Sequence, residues 1–189
     1  MDDLVYNGKV LSWPARKKSW KATSGMDASS ETGFVDHRNE KYQKVKDAGP
    51  IPEGKYILSL SEEGTAVNFR KSAGGCDLAS HRGIQQIPRA ATGNASAVCD
   101  PYFANWGWNR VRLQPSGNNH NASKFGRSGF YIHDSSKGYS HGCIETEQSF
   151  FGELRAESRA RAKGKKSMIL RLLVDYAAGQ STYGGTKKP

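Results

Sequence analysis

A cysteine and two histidines lie close together in a polar stretch of the C-terminal half of the chain. His133 ends an apolar run, and Cys143 follows ten residues later, directly after His141 and Gly142. A free thiol is only about 3% ionised at pH 7, so a nucleophilic cysteine needs a neighbouring imidazole, a helix N-terminus, or both. Cys143 has both within reach, because a helical pattern begins just after it. The spacing therefore predicts a cysteine nucleophile.

Gly142 favours a sharp backbone turn immediately before this cysteine. Such a turn would let the amides of His141, Gly142 and Cys143 point to one position, where they would stabilise a tetrahedral oxyanion. The sequence predicts the turn, and the convergence of the amides is a hypothesis.

Other interpretations of the same residues remain open. A free cysteine is more often inert core than nucleophile, and a lone histidine is usually a polar surface residue. His133, His141 and Cys143 are also zinc ligand types, but a fourth ligand at a standard spacing is missing. We therefore favour a nucleophile over a metal site, and we expect neither a metal nor a cofactor.

The elements that must position these residues are mainly strands. Glycine-rich turns separate short segments rich in β-branched and aromatic residues, a pattern typical of β-structure. The clearest hairpin signal is Asn7-Gly8, because this pair accepts the positive φ angles of a type I′ turn. Residues 49–54 (GPIPEG) predict a stiff corner, and residues 25–48 are polar and turn-rich with one short helix. Strands are predicted over residues 4–6, 9–11, 55–60, 65–70, 109–114, 129–134 and 167–176.

One principal helix is predicted after the cysteine, over residues 147–163. Thr146 is a suitable cap, three apolar residues form a stripe, and Gly164 follows a basic last turn. Residues 177–189 contain a single aromatic side chain and are predicted to be a frayed tail. The expected architecture is a mainly β sandwich or barrel with one helix, forming a single domain over residues 1–176.

Size and charge narrow the function. The 189 residues carry a formal net charge of +10 and a pI near 9.6, which favours anionic partners. The most apolar window, residues 168–174, is far shorter than the ~20 residues of a membrane span, so no stable membrane insertion is expected. Residues 1–4 (MDDL) are acidic where a secretory signal is basic. We expect a protein made in the cytoplasm without a signal peptide.

Two motifs carry a resemblance to a known family. The tripeptide at 131–133 (YIH) and the pentapeptide at 140–144 (SHGCI) are similar to the active-site signature of L,D-transpeptidases, peptidoglycan enzymes with a β-rich YkuD-type catalytic domain. The short spacing between them resembles the compact branch of L,D-transpeptidase-like antibacterial effectors delivered by type VI secretion. Further agreement covers most of residues 4–175, through segments 6–8, 13–14, 22–25 and 49–54.

The resemblance implies a role for each matching residue. Cys143 would be the nucleophile and His133 its base, with the main-chain carbonyl of Asp134 orienting the imidazole. The amides of His141, Gly142 and Cys143 would form the oxyanion hole.

The substrate side of the site is less closely matched. Tyr131 and Ser140 would lie beside the substrate, although a loop-stabilising role for Ser140 is an equal alternative. Glu145 stands where the family commonly has arginine or asparagine, so another group would have to hold a substrate carboxylate there. Charge alone offers Arg127, which we take as the substrate-binding residue, and also Lys137 and Arg110.

The expected reaction begins when Cys143 attacks the carbonyl of the third, diamino-acid residue of a peptidoglycan stem tetrapeptide. The terminal D-alanine leaves, and a thioester remains. Water would make the enzyme an L,D-carboxypeptidase, a free D-amino acid would give exchange, and a neighbouring stem amine would give a cross-link. The effector resemblance favours trimming and exchange in the periplasm of a target bacterium. It leaves room for an immunity protein and a type VI secretion carrier as partners.

Two alternative functions stay open. A cysteine amidase or endopeptidase would cut another peptidoglycan bond with the same nucleophile. A basic module that binds nucleic acid or wall polymer would use aromatic rings between arginines, which can stack on bases. We favour the enzyme and expect no nucleic-acid partner. The residues of the binding module would be Tyr102, Phe103, Trp106, Trp108, Arg110 and Arg112.

The two remaining cysteines have two interpretations. In an oxidising compartment Cys76 and Cys99 would close a loop of about 24 residues and stabilise the fold by about 3 kcal/mol. Two buried free thiols are the alternative, and the sequence does not decide between them.

Overall fold

The computed structural model describes residues 2–65, 67–70, 75–78, 81–87, 105–117 and 121–188, without the side chains of residues 65–70 and 75–78. The α-helices in these ranges are α1 (Asn121–Lys124) and α2 (Ser149–Lys163), and short 3-10 helices cover Pro14–Arg16, Ser30–Thr32 and Glu40–Tyr42. The strands are β1 (Leu4–Tyr6), β2 (Val10–Trp13), β3 (Lys18–Thr23), β4 (Gly54–Ser59), β5 (Glu62–Thr65), β6 (Val67–Arg70), β7 (Gly75–Leu78), β8 (Ile84–Gln86), β9 (Asn109–Arg112), β10 (Gln114–Pro115), β11 (Tyr131–His133), β12 (Ile144–Thr146) and β13 (Ile169–Val174).

Eleven of the described strands form one sheet in the order β10-β4-β13-β1-β2-β3-β12-β11-β9-β8-β5, and β6 pairs with β7. Strand β3 joins the two halves of the sheet. Its first residues pair with β2, from Trp13↔Lys18 to Val10↔Lys21, and its last residues, Ala22 and Thr23, pair with β12. The prediction of a mainly β fold is confirmed.

The predicted hairpin at the start of the chain is present, but its turn differs from the expected type. Strands β1 and β2 pair antiparallel through Tyr6↔Leu11. Only Gly8 has a positive φ, of 97°, so the turn is not type I′. Instead, the Asn7 side-chain oxygen accepts hydrogen bonds from the amides of Lys9 and Val10, which stabilises a longer loop.

Helix α2 packs its apolar side against the sheet. Phe150, Phe151 and Leu154 are fully buried, and Phe150 meets the Trp20 ring edge-on at 5.1 Å. Burial of each such side chain contributes about 1.5–3 kcal/mol. The predicted stripe is therefore correct.

The start of α2 was predicted too early. Thr146 does not cap the helix, because it is the last residue of β12 and its hydroxyl donates to the Lys21 carbonyl at 2.9 Å. The first helical residue is Ser149.

The C-terminal segment is packed against the domain, in contrast to the frayed tail expected for residues 177–189. Thr182 is fully buried and donates to the Ser24 carbonyl at 2.6 Å. Ser181 forms a β-bridge with Asn39, and the hydroxyls of Thr186 and Thr23 are hydrogen-bonded at 2.9 Å. Hydroxyl and main-chain hydrogen bonds hold residues 177–188, so the low apolar content of the segment is a poor guide to its order.

Candidate active site

A cavity of about 250 Å³ contains both the predicted nucleophile and its predicted base. Three further residues that the sequence analysis named also line this cavity: Lys137, Ser140 and His141. The lining residues are Asn105, Trp106, His133, Lys137, Ser140, His141 and Cys143.

The sheet places His133 next to the turn that carries Cys143. Strands β11 and β12 are parallel neighbours in the register Ile132↔Ile144 and His133↔Glu145. Side chains alternate between faces, and paired residues share a face, so His133 and Glu145 share a face. Cys143 immediately precedes β12 and lines the same cavity as His133. The buried side chains of Ile132 and Ile144 lie on the opposite face.

A buried polar row runs through His133 across five neighbouring strands. Its members pair in register from one strand to the next, and each is at most 3% exposed. Such groups need internal partners, because their desolvation is otherwise costly. The row consists of Gln85, Arg110, His133, Glu145 and Thr23.

Glu145 holds the loop that follows His133. Its carboxylate accepts hydrogen bonds from the amides of Lys137 and Gly138, at 3.0 and 2.7 Å, and from the hydroxyls of Ser135 and Thr186. The side chain is fully buried and does not line the 250 Å³ cavity. The departure from the family pattern at this position thus creates a structural anchor between the loop and the C-terminal segment.

The His133 imidazole is enclosed, at 3% exposure, and lies edge-on to the Trp106 ring at 5.3 Å. Burial lowers its pKa from 6.5 to about 3; the positive charge of Lys137 lowers it further, and a main-chain hydrogen bond with Trp106 opposes the shift. Nδ1 has no hydrogen-bond partner among the described groups. The imidazole is therefore neutral at pH 7 and able to take a proton.

The Asp134 carboxylate holds the segment that precedes β9; the role of its carbonyl, which the resemblance implied, stays a prediction. The carboxylate accepts hydrogen bonds from the amides of Trp108 and Asn109, at 2.6 and 2.8 Å, and from the Asn109 side chain at 2.7 Å. Gly107 has a φ of 77°, and a Cβ there would lie 2.5 Å from Asp134. These contacts fix the segment that carries Trp106, which is the main-chain partner of His133.

Cys143 is free and partly exposed, although protein surrounds its thiol on most sides. Burial raises the pKa of this thiol to about 11, while a hydrogen bond from the Tyr131 amide and the charges of Arg110, Arg127 and Lys137 act in the opposite direction. The thiol is therefore protonated at pH 7.

The turn before Cys143 is held from both ends. Ser140 donates from its hydroxyl to the Cys143 carbonyl at 2.5 Å and from its amide to the Gly25 carbonyl at 2.9 Å. The His141 ring bonds the Asp47 carbonyl through Nδ1 at 2.9 Å. Within the described ranges, the amides of residues 141–143 have no protein acceptor. They are therefore available to a ligand oxygen.

The Arg127 guanidinium packs against this turn beside Gly142. Its guanidinium donates to the carbonyls of Gln43, Gly49 and Pro50 at 2.6–2.9 Å. Gly142 has a φ of 103°, and a Cβ there would lie 2.2 Å from Arg127 Nη2. The predicted substrate-binding role of Arg127 does not match this placement, because its Nη atoms are occupied by main-chain oxygens and it does not line the cavity.

Tyr131 and Arg110 form the wall behind the imidazole. The Arg110 guanidinium lies 4.7 Å from the Trp106 ring and 4.5 Å from the Tyr131 ring, and its Nε donates to Gln85 at 2.8 Å. Tyr131 is 7% exposed, so its ring is a packing group and its amide is what reaches Cys143.

The structure adds Trp106 and the carboxylates of Asp134 and Glu145 to the residues that sequence reasoning found. Their sequence signals were ambiguous: Trp106 belonged to the binding-module alternative, and the two carboxylates had no partner within a few residues. A tertiary neighbour, unknown to the sequence, defines each of these roles.

The aromatic and arginine residues of that alternative do not form one exposed surface. Trp106 lines the cavity, Arg110 is buried, and Trp108 is 38% exposed on a second cavity of about 600 Å³. Tyr102 and Phe103 lie outside the described residues, as do Cys99 and the side chain of Cys76.

The larger cavity lies on the other side of the loop that follows His133. Residues 134–137 line it together with Thr186 and the segment from Thr146 to Ser149, and neither Cys143 nor His133 is part of it. Of these two cavities, the smaller one is therefore the candidate active site.

Comparison with known proteins identifies the family. The model of the Tlde1 domain matches residues 26–170, which include every residue of the 250 Å³ cavity. The chain belongs to the Tlde1 family. Tlde1 domains form a type VI secretion L,D-transpeptidase effector family with a peptidoglycan target. No curated protein matches the chain.

Two further findings concern this Tlde1 chain. None of the helices in the described ranges has the length and apolar character to cross a membrane. Over the same ranges, no three His, Cys, Asp or Glu side chains are grouped so that they would hold a metal ion. The zinc interpretation of His133, His141 and Cys143 therefore has no support from the geometry.

Proposed function

We propose that this Tlde1 protein is an L,D-carboxypeptidase with D-amino acid exchange activity on peptidoglycan stem tetrapeptides, acting through a thioester on Cys143. The observation that carries the proposal is the shared cavity of Cys143 and His133, with a turn at residues 141–143 whose amides have no main-chain acceptor within the described ranges. The family supplies the peptidoglycan target.

Acylation starts from a neutral pair. As the Cys143 sulfur adds to the carbonyl carbon of the third stem residue, its proton passes to the His133 imidazole. Burial disfavours a separate thiolate and imidazolium, so the charge separates only when the carbonyl oxygen takes the negative charge. The tetrahedral intermediate then collapses, the amine of D-alanine leaves with the proton from His133, and the thioester remains.

The amides of His141, Gly142 and Cys143 would hold the oxyanion during this step. Arg110 and Arg127 act electrostatically on the sulfur and would stabilise the same negative charge. Because both guanidiniums are buried, their fields are weakly screened by solvent.

Deacylation repeats the proton transfer with a new nucleophile. Water loses a proton to the neutral imidazole, attacks the thioester carbonyl and releases the tripeptide, which is the carboxypeptidase reaction. A free D-amino acid amine in place of water restores a tetrapeptide with an exchanged last residue. Hydrolysis removes the tetrapeptide donor and exchange alters its last residue, and both changes to the wall are consistent with a type VI effector.

The proposed place of action is the periplasm of the target cell, where peptidoglycan is accessible. A cognate immunity protein in the producer and a secretion carrier are the protein partners this role would need. The net charge of +10 suits a polymer that carries many carboxylates.

The test is a product analysis by mass spectrometry. Purified protein is incubated with a disaccharide tetrapeptide and, separately, with the pentapeptide. We expect the tetrapeptide to lose one alanine, and Cys143→Ala and His133→Ala to abolish this loss. His81→Ala, an exposed histidine outside the cavity, is the matched control and should keep wild-type activity. Cleavage inside the stem or between sugar and peptide would instead identify an endopeptidase or an amidase.

A further inference from the structure

Three cations act on the Cys143 thiol, and the described contacts already occupy two of them. Arg127 donates to three main-chain carbonyls. Arg110 is 3% exposed, lies between two aromatic rings and donates to Gln85. Neither guanidinium lines the 250 Å³ cavity, so the cation at the cavity wall is Lys137.

The Lys137 ammonium is the group with spare hydrogen-bonding capacity. It has three N–H donors. Among the described residues, its hydrogen-bond acceptor is Asn105 Oδ1 at 3.4 Å, and the Tyr139 ring lies 4.4 Å away. The side chain is half-buried, and burial lowers its pKa, while the charge of Glu145 acts in the opposite direction. A substrate carboxylate in the cavity would add a strong hydrogen-bond acceptor and a further negative charge beside the ammonium.

The backbone of Lys137 is fixed even though its side chain is available. Glu145 accepts a hydrogen bond from the Lys137 amide at 3.0 Å and from the Gly138 amide at 2.7 Å. The ammonium is therefore presented to the cavity from a loop that a buried carboxylate holds in place.

We propose that Lys137, together with Asn105, binds the terminal carboxylate of the stem peptide and thereby selects donors that end one residue after the scissile bond. The inference rests on the proposed function. In a tetrapeptide the terminal carboxylate is one residue beyond the attacked carbonyl, a span of about 3.5 Å. A pentapeptide moves its carboxylate one residue further and presents an uncharged amide in its place.

The test compares two donors that differ only at this group. One is the tetrapeptide with a free C-terminal carboxylate, and the other is the same tetrapeptide with a C-terminal D-alaninamide. For the wild type we expect kcat/KM to be about 10- to 100-fold higher with the free acid, the range for a hydrogen bond to a charged group. Lys137→Met should lower kcat/KM for the acid by the same factor and change that for the amide by less than about threefold.

Two variants control for general damage. Lys137→Arg keeps the charge and should retain most of the preference for the acid. Lys163→Met removes an exposed lysine at the end of α2 and should leave both rates unchanged. An equal loss of both rates in Lys137→Met, or a wild type that cleaves acid and amide alike, would overturn the proposal.

A binding measurement separates this proposal from the proposed function. Calorimetric titration of Cys143→Ala with the two tetrapeptides reports carboxylate recognition without turnover, and the double variant Cys143→Ala/Lys137→Met should lose the preference. A preference for the acid in a protein that releases no alanine would overturn the proposed reaction and keep the carboxylate site. Equal affinities for the two peptides, together with alanine release, would overturn the carboxylate site and keep the proposed reaction.

Discussion

His133 and Cys143 are both held in their uncharged forms, because burial penalises an imidazolium as much as a thiolate. The pKa of His133 falls from 6.5 to about 3, and that of Cys143 rises to about 11. This arrangement differs from a pre-formed thiolate–imidazolium pair, which is reactive before substrate binds. The thiol of the resting protein should therefore be poorly reactive toward small electrophiles at neutral pH.

Alkylation of the thiol tests this state. With a pKa of about 11, the thiolate fraction of Cys143 rises tenfold per pH unit from pH 7 to 10. We expect the rate of modification by iodoacetamide, followed by intact mass, to rise in the same way. An unstructured peptide with a single cysteine serves as the reference, and its rate of modification should level off near pH 9. A plateau below pH 8 for Cys143 would contradict the neutral pair.

Acid stability tests the imidazole. Because the folded pKa of His133 lies below its unfolded value, the unfolded chain binds more protons between pH 6.5 and about 3, and stability falls as pH decreases through this window. At pH 5 the linkage amounts to about 2 kcal/mol relative to pH 7.5. Urea unfolding at both values should show that wild type loses about 2 kcal/mol more than His133→Gln. Equal losses would show that His133 titrates normally.

At the scale of elements, the turn before β12 depends on a glycine that no other residue could replace without strain. Gly142 combines a φ of 103° with close approach to Arg127 Nη2, and Gly129 has a φ of 79° with no atom within 4 Å of its Cβ position. Comparing substitutions at these two glycines therefore distinguishes the effect of backbone strain from that of the contact with Arg127.

Alanine at each position gives the matching prediction. Gly142→Ala and Gly129→Ala share the strain of a positive φ, of about 1 kcal/mol. Only Gly142→Ala must displace the Arg127 guanidinium and the turn it supports. We expect at least a 100-fold loss of thioester formation in Gly142→Ala, measured by mass spectrometry, and less than a threefold loss in Gly129→Ala. Similar activities in the two variants would show that the contact is unimportant.

The sequence predicted those elements that local patterns specify. The hairpin at Asn7-Gly8, the strand that ends at His133 and the apolar stripe of α2 all follow from spacing of a few residues. Thr146 misled the prediction because a hydroxyl before an acidic residue suits a helix cap and a strand end alike. Thr146 ends a strand because that strand pairs with β3, and this pairing is a long-range contact that local sequence does not specify.

The same division holds for the site. Residue type and spacing predicted Cys143 and His133 as a pair, and both line the same cavity. The roles of Arg127 and Asp134 were not, because each depends on partners more than 20 residues away, such as Gly49 and Asn109. The role of a buried charged side chain can be assigned only when its long-range partners are known.

For the whole molecule, the packing of residues 177–188 is the main departure from expectation. Thr182 and Thr186 bond Ser24, Thr23 and Glu145, and the last of these also holds the loop after His133. The segment thus joins β3 to the loop that follows His133.

Removal of this segment should weaken both fold and site. A chain ending at Tyr176 loses several buried hydrogen bonds, each worth about 1 kcal/mol and more where the Glu145 charge is involved. We expect Tm to fall by about 5–15 °C and activity on the tetrapeptide to fall with it at 25 °C. Removal of Pro189 alone is the control. An unchanged Tm for the chain ending at Tyr176 would show that the segment adds no stability.

The four hydrogen bonds on the Glu145 carboxylate also have an evolutionary consequence. The hydroxyls at positions 135 and 186 that bond this carboxylate come from segments about fifty residues apart. A basic side chain in place of Glu145 could not accept the amides of Lys137 and Gly138, so we expect relatives with that change to differ at positions 135 and 186 as well. Paired changes at these three positions across homologous chains would therefore divide the lineage into two groups.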